Sequence, residues 1–151
     1  MNVDDLKGLD EATRKEIEEL QQITRQKYGG DTFAKAQFNI GSVYHENNKL
    51  ESALKAWNKI KRSDNPELYA QLRVDIGVMF KQGNDDKRAL IEWSKVKYSD
   101  SSVAYAYAQF YTGRVLYKLN QTLDYDSLQY SAGLDYEIEL EGKKLYPGTS
   151  Y

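Results

Sequence analysis

The sequence predicts an all-α fold in which antiparallel helical hairpins stack side by side. Two observations predict it. The chain resembles itself at a spacing of 36 residues, so that Gly41 corresponds to Gly77 and Trp57 corresponds to Trp93. Such fixed-period similarity is typical of stacked repeats. Inside each copy, apolar residues recur mostly three or four positions apart, which places them on one face of a helix.

Each complete copy is predicted to contain two helices joined by a tight turn. The first hairpin pairs residues 32–47 with 49–61, and the second pairs residues 66–82 with 86–97. Asparagine and glycine residues interrupt the helical pattern between the two runs of each copy, as a turn requires.

Glycine, alanine and tryptophan return at equivalent places in the copies. A glycine inside a helix costs about 1 kcal/mol relative to alanine, so its return indicates a packing reason. Small residues let two helices cross closely, and a tryptophan beside the crossing is predicted to fill the space between hairpins. The positions expected to be structural are Gly41, Ala53, Trp57, Gly77, Ala89, Trp93 and Gly113.

The N-terminal part of the chain precedes the repeats. Residues 1–30 are predicted to form a lead-in and a capping helix that covers the exposed end of the first hairpin. Asp10 can cap this helix, which is expected to run to about Tyr28. The repeats themselves are expected over residues 31–120, in copies 31–64, 65–100 and 101–120, the last with a first helix only.

The C-terminal part, residues 121–151, departs from the repeat. It is acidic and contains five tyrosines. It is predicted to complete a third hairpin through an enlarged turn over about residues 120–130, with a degenerate second helix over 132–140 and a tail. Apolar residues in 136–140 also alternate as they would in a strand, so a strand is the alternative.

The repeated pattern resembles the tetratricopeptide repeat (TPR) family over roughly residues 32–119. That family has an aliphatic–glycine pair, then an aromatic residue, a small residue after the turn, a large aromatic and an aliphatic residue. These places are held by Ile40, Gly41, Tyr44, Ala53, Trp57 and Ile60, and again by Ile76, Gly77, Phe80, Ala89, Trp93 and Val96. The period is two residues longer than the family's, and Gln37 and Arg73 stand where an aromatic residue is usual. The resemblance implies a short right-handed solenoid.

In the TPR family the first helix of each hairpin lines a concave groove that binds a partner. Carried over by position, the resemblance implies a groove lined by Lys35, Phe38, Asn39, Ser42, His45, Gln71, Val74, Asp75, Val78, Lys81, Tyr107, Phe110, Tyr111, Arg114 and Tyr117. Chaperone-binding members hold a terminal carboxylate with lysine, asparagine and arginine. Those places here hold Phe38, Ser42, Asp75, Tyr107 and Tyr111, so a cochaperone is not expected.

Aromatic content rises toward the third helix of this groove. Four residues fall on one stripe there and belong mostly to types that are enriched in binding hot spots: Tyr107, Tyr111, Arg114 and Tyr117. Two interpretations are open, contact with a partner or cover by the C-terminal segment. Charge allows both, because residues 31–120 carry 14 basic and 10 acidic side chains whereas residues 121–151 carry 2 and 6.

The composition argues against several functions. The chain of 151 residues has a net charge of −2, no cysteine and a single histidine, His45. A thiol metal site is therefore excluded, and a histidine-based triad or multi-histidine metal site is not expected. No phosphate-binding glycine loop is present, so no cofactor is predicted. Acidic residues of the C-terminal segment could be considered as general acids, but no clear partner in the sequence tunes them. No enzymatic activity is predicted.

The sequence also lacks signals for membranes or nucleic acids. No run of apolar residues is long enough to span a bilayer, and the N-terminus has no signal-peptide pattern, so a cytoplasmic protein is expected. The basic cluster at residues 59–62 lacks the interleaved aromatic residues of a nucleic-acid platform.

The preferred hypothesis is a non-catalytic interaction module, favoured as a monomer, that binds a peptide or protein in its groove. The alternative is an immunity or antitoxin protein that binds and blocks a cognate toxin. An adaptor should bind peptides with micromolar affinity, whereas an antidote should bind one folded partner very tightly.

Overall fold

A computed structural model describes residues 3–127, 138–140 and 143–145 of the chain. The chain divides into two compact units, Met1–Tyr69 and Ala70–Tyr151. The described residues are mostly helical, and the predicted all-α class is confirmed. The elements are α1 (Val3–Leu6), α2 (Glu11–Gln21), α3 (Arg25–Tyr28), α4 (Gly30–Glu46), α5 (Leu50–Trp57), α6 (Pro66–Gln82), α7 (Asp86–Ser94), α8 (Ser102–Ser127), β1 (Ile138–Leu140) and β2 (Lys143–Leu145).

The two hairpins, α4–α5 and α6–α7, share the same turn. Each connection has three residues, and its middle residue is an asparagine with a positive φ, 60° at Asn48 and 61° at Asn84. Asparagine tolerates this left-handed conformation better than most residues. The N–H of the next residue then bonds a carbonyl five positions back, at 2.9 Å in both turns. Identical turns 36 residues apart support the repeat that the sequence predicts.

The two hairpins also share one glycine–tryptophan contact. Trp57 and Trp93 are buried, at 3% and 2% exposure. A Cβ added to Gly41 would overlap the indole ring of Trp57, and a Cβ added to Gly77 would overlap that of Trp93. Each tryptophan therefore lies against the glycine of its own hairpin. The glycines therefore allow close packing, as predicted, and the group that packs against each of them is an indole ring.

A hydrogen bond holds each indole in place. Trp57 Nε1 donates to the Phe38 carbonyl at 3.1 Å, and Trp93 Nε1 donates to the Val74 carbonyl at 3.2 Å. In both hairpins the acceptor lies three residues before the glycine. The bond satisfies the indole N–H, a buried polar group that would otherwise cost free energy.

The N-terminal helix differs from its prediction. Asp10 caps α2 as expected, accepting from the Thr13 N–H at 2.7 Å. The helix then ends at Gln21, and α3 begins at Arg25 after a second cap, in which Thr24 accepts from the Lys27 N–H at 3.2 Å. One helix to Tyr28 was predicted from the apolar spacing; two helices are present, because the Thr24 side chain satisfies a new helix start.

An ion pair ties α3 to the loop after α5. Arg25 Nε and Nη2 donate to the two carboxylate oxygens of Asp64 at 2.6 and 2.8 Å. Asp64 also accepts from the Lys61 N–H at 2.9 Å. The guanidinium holds the pKa of the Asp64 carboxyl below its ordinary value, and the backbone bond acts in the same direction. This bidentate contact fixes the end of the N-terminal cap against the first hairpin.

Helix α8 is longer than predicted. It continues to Ser127, so residues 120–127 are helical where an enlarged turn was expected. No proline or glycine occurs between Arg114 and Ser127, and a helix continues at low cost where no residue breaks it. The enlarged turn was predicted because the 36-residue repeat is lost after the first helix of the third copy. Loss of the repeat, however, does not by itself end a helix.

The segment predicted as a degenerate second helix contains a strand. β1 pairs with β2 in an antiparallel ladder, with Ile138 opposite Leu145 and Leu140 opposite Lys143. The strand alternative from the period-two alternation is therefore correct for residues 138–140. The rest of the predicted helix and the tail lie outside the described residues.

Candidate partner-binding surface

The first set of predicted groove residues lies on α4 in the first unit. Lys35 and His45 are exposed, as is Asn39. Lys35 pairs with Asp31 at 3.0 Å, and the His45 ring lies 5.9 Å from the Trp57 ring. The remaining two, Phe38 and Ser42, are partly buried, and the Ser42 hydroxyl donates to the Phe38 carbonyl at 2.9 Å. The hydroxyl of Ser42 therefore donates its hydrogen bond within its own helix.

The second set lies on α6, and its five residues differ in exposure. Val74 is only 4% exposed and belongs to the core of the second unit. It is therefore not available to a partner, because it lies in the core formed with residues of α7 and α8. Gln71 is exposed, whereas Asp75, Val78 and Lys81 are partly buried. Lys81 Nζ bonds the Asp86 carboxylate at 2.8 Å.

The third set lies on α8 and is the most exposed. Tyr107, Phe110 and Tyr117 are 51%, 58% and 63% exposed, and Arg114 is also exposed. Val103, which sequence reasoning missed, is 62% exposed one turn before Tyr107. With steps of four, three, four and three residues, these side chains form one face of α8, called here the α8 stripe: Val103, Tyr107, Phe110, Arg114 and Tyr117. Its opposite face contributes Ala104, Ala108, Val115 and Leu116 to the core.

Stacked rings connect the α8 stripe to the core. The Tyr111 ring lies 5.4 Å from that of Trp93 with a 22° interplanar angle, and 6.2 Å from that of Tyr107 at 23°. Phe110 meets the same ring at 5.7 Å and 63°. The Arg114 guanidinium lies 5.7 Å from the Phe110 ring centre. Because each ring is held by a neighbour, the surface loses little conformational freedom when it binds a partner.

A cleft of about 120 Å³ lies beside these stacked rings in the second unit. Four of its residues were predicted for the groove, and the other four are new. One of these is Trp93, which was predicted only as a structural residue. The cleft is lined by Val78, Lys81, Gln82, Trp93, Tyr111, Arg114, Val115 and Lys118. Gln82, Val115 and Lys118 each lie four residues after a residue that was predicted for the groove, on the same helix. Helical spacing was therefore the signal that could have found them.

The cleft combines an apolar floor with a basic rim. The floor consists of the two valines and the rings of Trp93 and Tyr111, while Lys81, Arg114 and Lys118 supply three positive charges. None of its lining residues is acidic. On this rim, Lys81 Nζ donates to the Asp86 carboxylate at 2.8 Å. The described cleft therefore has an apolar lining with basic residues at its edge.

Gly113 does not have the structural role predicted for it. It is exposed, and no described atom lies within 4 Å of a Cβ built at this position. The third copy therefore keeps the glycine of the repeat without the tryptophan that requires it in the other two.

Asp75 gives this region a testable pH dependence. Burial raises the pKa of its carboxyl above the ordinary value of 3.8, opposed by a hydrogen bond from Gln71 at 3.2 Å. A raised folded-state pKa means that ionisation of Asp75 destabilises the fold. This cost is absent below pH 3.8 and develops as the pH rises through the folded-state pKa.

We expect Asp75→Asn to raise the thermal midpoint at pH 7 and to lose this advantage near pH 3. Asp64→Asn is the matched comparison with the opposite sign. Since the pKa of Asp64 is lowered, its ionised form stabilises the fold above pH 3.8, and this contribution is lost as the pH falls through its folded-state pKa. Melting curves of both variants and the parent between pH 3 and 7 test the pair. Two variants that shift in the same direction at pH 7 would contradict the assignment.

No described helix is long and apolar enough to cross a membrane. Within the same part of the chain, no three histidine, cysteine, aspartate or glutamate side chains are grouped to hold a metal ion. Comparisons with protein-family models, with curated proteins and with solved structures find no match to this chain.

Proposed function

We propose that this protein is a non-catalytic interaction module of the TPR type that binds a polypeptide partner through the α8 stripe and the adjoining cleft. The observation that carries the proposal is the run of exposed aromatic side chains on α8, backed by rings that lead to buried Trp93. Large exposed apolar faces are typical of interaction sites. Tyrosine, tryptophan and arginine are the residues that most often dominate binding energy.

The TPR assignment draws support from both hairpins. Each has the glycine–tryptophan contact, the indole-to-carbonyl hydrogen bond and the asparagine turn at equivalent positions. The sequence pattern of the family includes the glycine and a large aromatic residue at these places. Equivalent local geometry at a fixed spacing is what a repeat protein requires.

The size of the cleft favours a polypeptide over a small molecule. Pockets that enclose cofactors or drug-sized ligands occupy about 300–1,000 Å³, and this cleft has about 120 Å³. The α8 stripe supplies further contact area outside the cleft.

The proposal predicts that exposed rings of the stripe are binding hot spots. We expect Tyr107→Ala combined with Phe110→Ala to weaken partner binding by about tenfold or more, because such truncations cost about 2 kcal/mol or more at hot spots. These rings are more exposed than Tyr111, so their removal disturbs the fold least. Affinity capture from source-cell extract, quantified by mass spectrometry and followed by titration with the purified partner, measures the effect.

Tyr98→Ala is the matched control. Tyr98 is 69% exposed but lies edge-on to Tyr105, away from the stripe. Recovery of the same proteins by the parent, the control and the double variant would reject the stripe as the binding surface. The titration also separates two kinds of partner, since an adaptor should bind in the micromolar range and a toxin antidote far more tightly.

A further inference from the structure

We infer that α8 receives an amphipathic helix of the partner polypeptide, which packs a large aromatic ring against Gly113 as Trp57 and Trp93 pack against their own glycines. This inference rests on the proposed function and names the structure and chemistry of the partner segment. It follows from the contacts that the first two copies share, from the exposure of the same positions in the third copy, and from the course of the chain after them.

In each complete hairpin the second helix covers one face of the first helix. Its tryptophan lies against the glycine and donates to the carbonyl three residues before that glycine. In the second hairpin, Glu92 also pairs with the residue four positions before the glycine. The covered residues are all buried or partly buried: Phe38 and Gly41 in the first copy, and Arg73, Val74 and Gly77 in the second.

The same positions are exposed in the third copy. Thirty-six residues after Gly77, Gly113 is exposed, and no described atom lies within 4 Å of a Cβ built on it. Phe110 is 58% exposed, and Gln109, which corresponds to the buried Arg73, is exposed as well. Residues three and four apart on a helix are neighbours. They form one surface that adjoins the α8 stripe, called here the Gly113 face: Gln109, Phe110 and Gly113.

The chain's own residues at the equivalent places do not fold back over this face. Residues 119–121 correspond to the turn at 83–85, but they lie inside α8. Residues 122–127 correspond to the start of α7, and they extend the same helix to Ser127. The described residues after Ser127 are the short strands β1 and β2. The Gly113 face therefore has the form of a first helix whose second helix comes from elsewhere.

The first two copies also specify the chemistry of that helix. In each copy a small residue stands four positions before the tryptophan and an aliphatic residue stands three positions after it, and all are buried: Ala53, Trp57 and Ile60, and Ala89, Trp93 and Val96. Anchors with this spacing are typical of an amphipathic helix that binds a groove. An indole at the same place can also donate to the Phe110 carbonyl, which corresponds to the acceptors in the two hairpins.

A second copy of this chain is not the favoured source of the helix. The chain has two tryptophans, and both are buried in their own hairpins. A second copy could supply one only by opening a hairpin, which would break the indole hydrogen bond and expose the ring. The partner polypeptide therefore carries the aromatic ring.

A peptide that copies the second helix of the first hairpin tests the inference on the full-length protein. Its sequence is that of residues 49–61, KLESALKAWNKIK. This hairpin is the better template, because Gln109 repeats Gln37 of the first copy and not Arg73 of the second. Isolated helices of this length are marginal in water, so a lactam between the side chains of Glu51 and Lys55 holds the peptide helical.

We expect the peptide to bind saturably in isothermal titration calorimetry. Replacement of its tryptophan by alanine should weaken binding by about tenfold or more, because the ring is the main anchor.

Gly113→Ala on the protein tests where the peptide binds. The new methyl group takes the space of the ring, so binding should weaken by about tenfold. Gly83→Ala is the matched control, because Gly83 is exposed and its Cβ would meet two carbonyl oxygens at 3.5 and 3.7 Å, an ordinary contact. Its affinity should stay within about twofold of the parent. Urea unfolding of the free variants shows whether either substitution destabilises the chain.

The outcomes separate this inference from the proposed function. A peptide that does not bind the parent, that binds equally well without its tryptophan, or that binds Gly113→Ala as tightly as the parent overturns the inference. The proposed function still stands in each case if Tyr107→Ala with Phe110→Ala loses the captured partner, and it fails if that variant retains it.

Two further results identify another occupant and also overturn the inference. If Gly113→Ala destabilises the free monomer, the chain itself covers the Gly113 face. If the parent sediments as a dimer and Gly113→Ala as a monomer, a second copy covers it.

Discussion

Gly77→Ala is expected to lower the free energy of unfolding by about 1–3 kcal/mol. The added methyl group would overlap the Trp93 ring at Nε1, Cδ1 and Cε2. This ring is 2% exposed and bonded to the Val74 carbonyl, so displacing it disturbs a buried hydrogen bond. Overpacking costs about 1–3 kcal/mol and a lost hydrogen bond about 1 kcal/mol, against a gain in helix propensity of about 1 kcal/mol. Urea unfolding followed by circular dichroism measures the change.

The chain contains its own control for this substitution. Gly113→Ala occupies the equivalent place in the third copy, where no described atom lies within 4 Å of the new Cβ. Only the helix propensity acts there, so stability should rise by about 0.5–1 kcal/mol. Gly41→Ala should resemble Gly77→Ala, because it meets Trp57 in the same way.

Equal effects of alanine at Gly77 and Gly113 would contradict the indole contact as the reason for the glycine. A second variant makes the test independent of folding yield. Trp93→Phe removes the five-membered ring of the indole, which contains the atoms that the new methyl group would overlap. The double variant Gly77→Ala with Trp93→Phe should therefore be destabilised by less than the sum of the two single changes. The interaction energy between neighbouring sites is the quantity that reports the contact.

Glu92→Ala is expected to lower the free energy of unfolding by about 3 kcal/mol or more. Arg73 Nη1 donates to Glu92 Oε2 at 2.8 Å, and their side chains are 3% and 12% exposed. Glu92 also accepts from Lys95 at 3.1 Å. Removing the carboxylate breaks a buried ion pair of the second hairpin, and breaking such a pair by removing one partner costs about 3–5 kcal/mol. Urea unfolding at pH 7 measures the loss.

The first hairpin shows which second change should restore stability. Thirty-six residues before Arg73 and Glu92 stand Gln37 and Ala56, both buried and both uncharged. Arg73→Gln combined with Glu92→Ala copies this pair into the second hairpin. We expect the double variant to be more stable than Glu92→Ala alone, since no buried charge remains. If the double variant is less stable than Glu92→Ala, the loss of stability in Glu92→Ala comes from a cavity and not from the broken ion pair.

Sequence reasoning found the hairpins and the importance of their glycines and tryptophans. These features depend on residue spacing along a single helix or across one short turn, and local spacing is readable in a sequence. The asparagine turns recur for the same reason. The cap at Asp10 was also predictable, because it involves only residues three positions apart.

Other features depend on contacts that are distant in the chain. Val74 was assigned to the groove by position, but the side chains of α7 and α8 cover it. Arg73 stands where the repeat pattern has an aromatic residue, and its ion pair with Glu92, nineteen residues away in the chain, becomes visible only in the tertiary structure. Gln82, Val115 and Lys118 each follow a predicted groove residue by one helical turn, but only the meeting of three helices shows that they line one cleft.

The amino-acid sequence by itself determined the helical class, the 36-residue repeat and the two complete hairpins, because periodic burial and turn chemistry act over a few residues. Tertiary structure alone decided that the glycines face indole rings, that the third-copy glycine faces no described atom, and that α8 leaves one aromatic face exposed. The physical reason is that close packing is set by which surfaces meet in space. Equivalent positions in a repeat have equivalent roles only where the same neighbours are present.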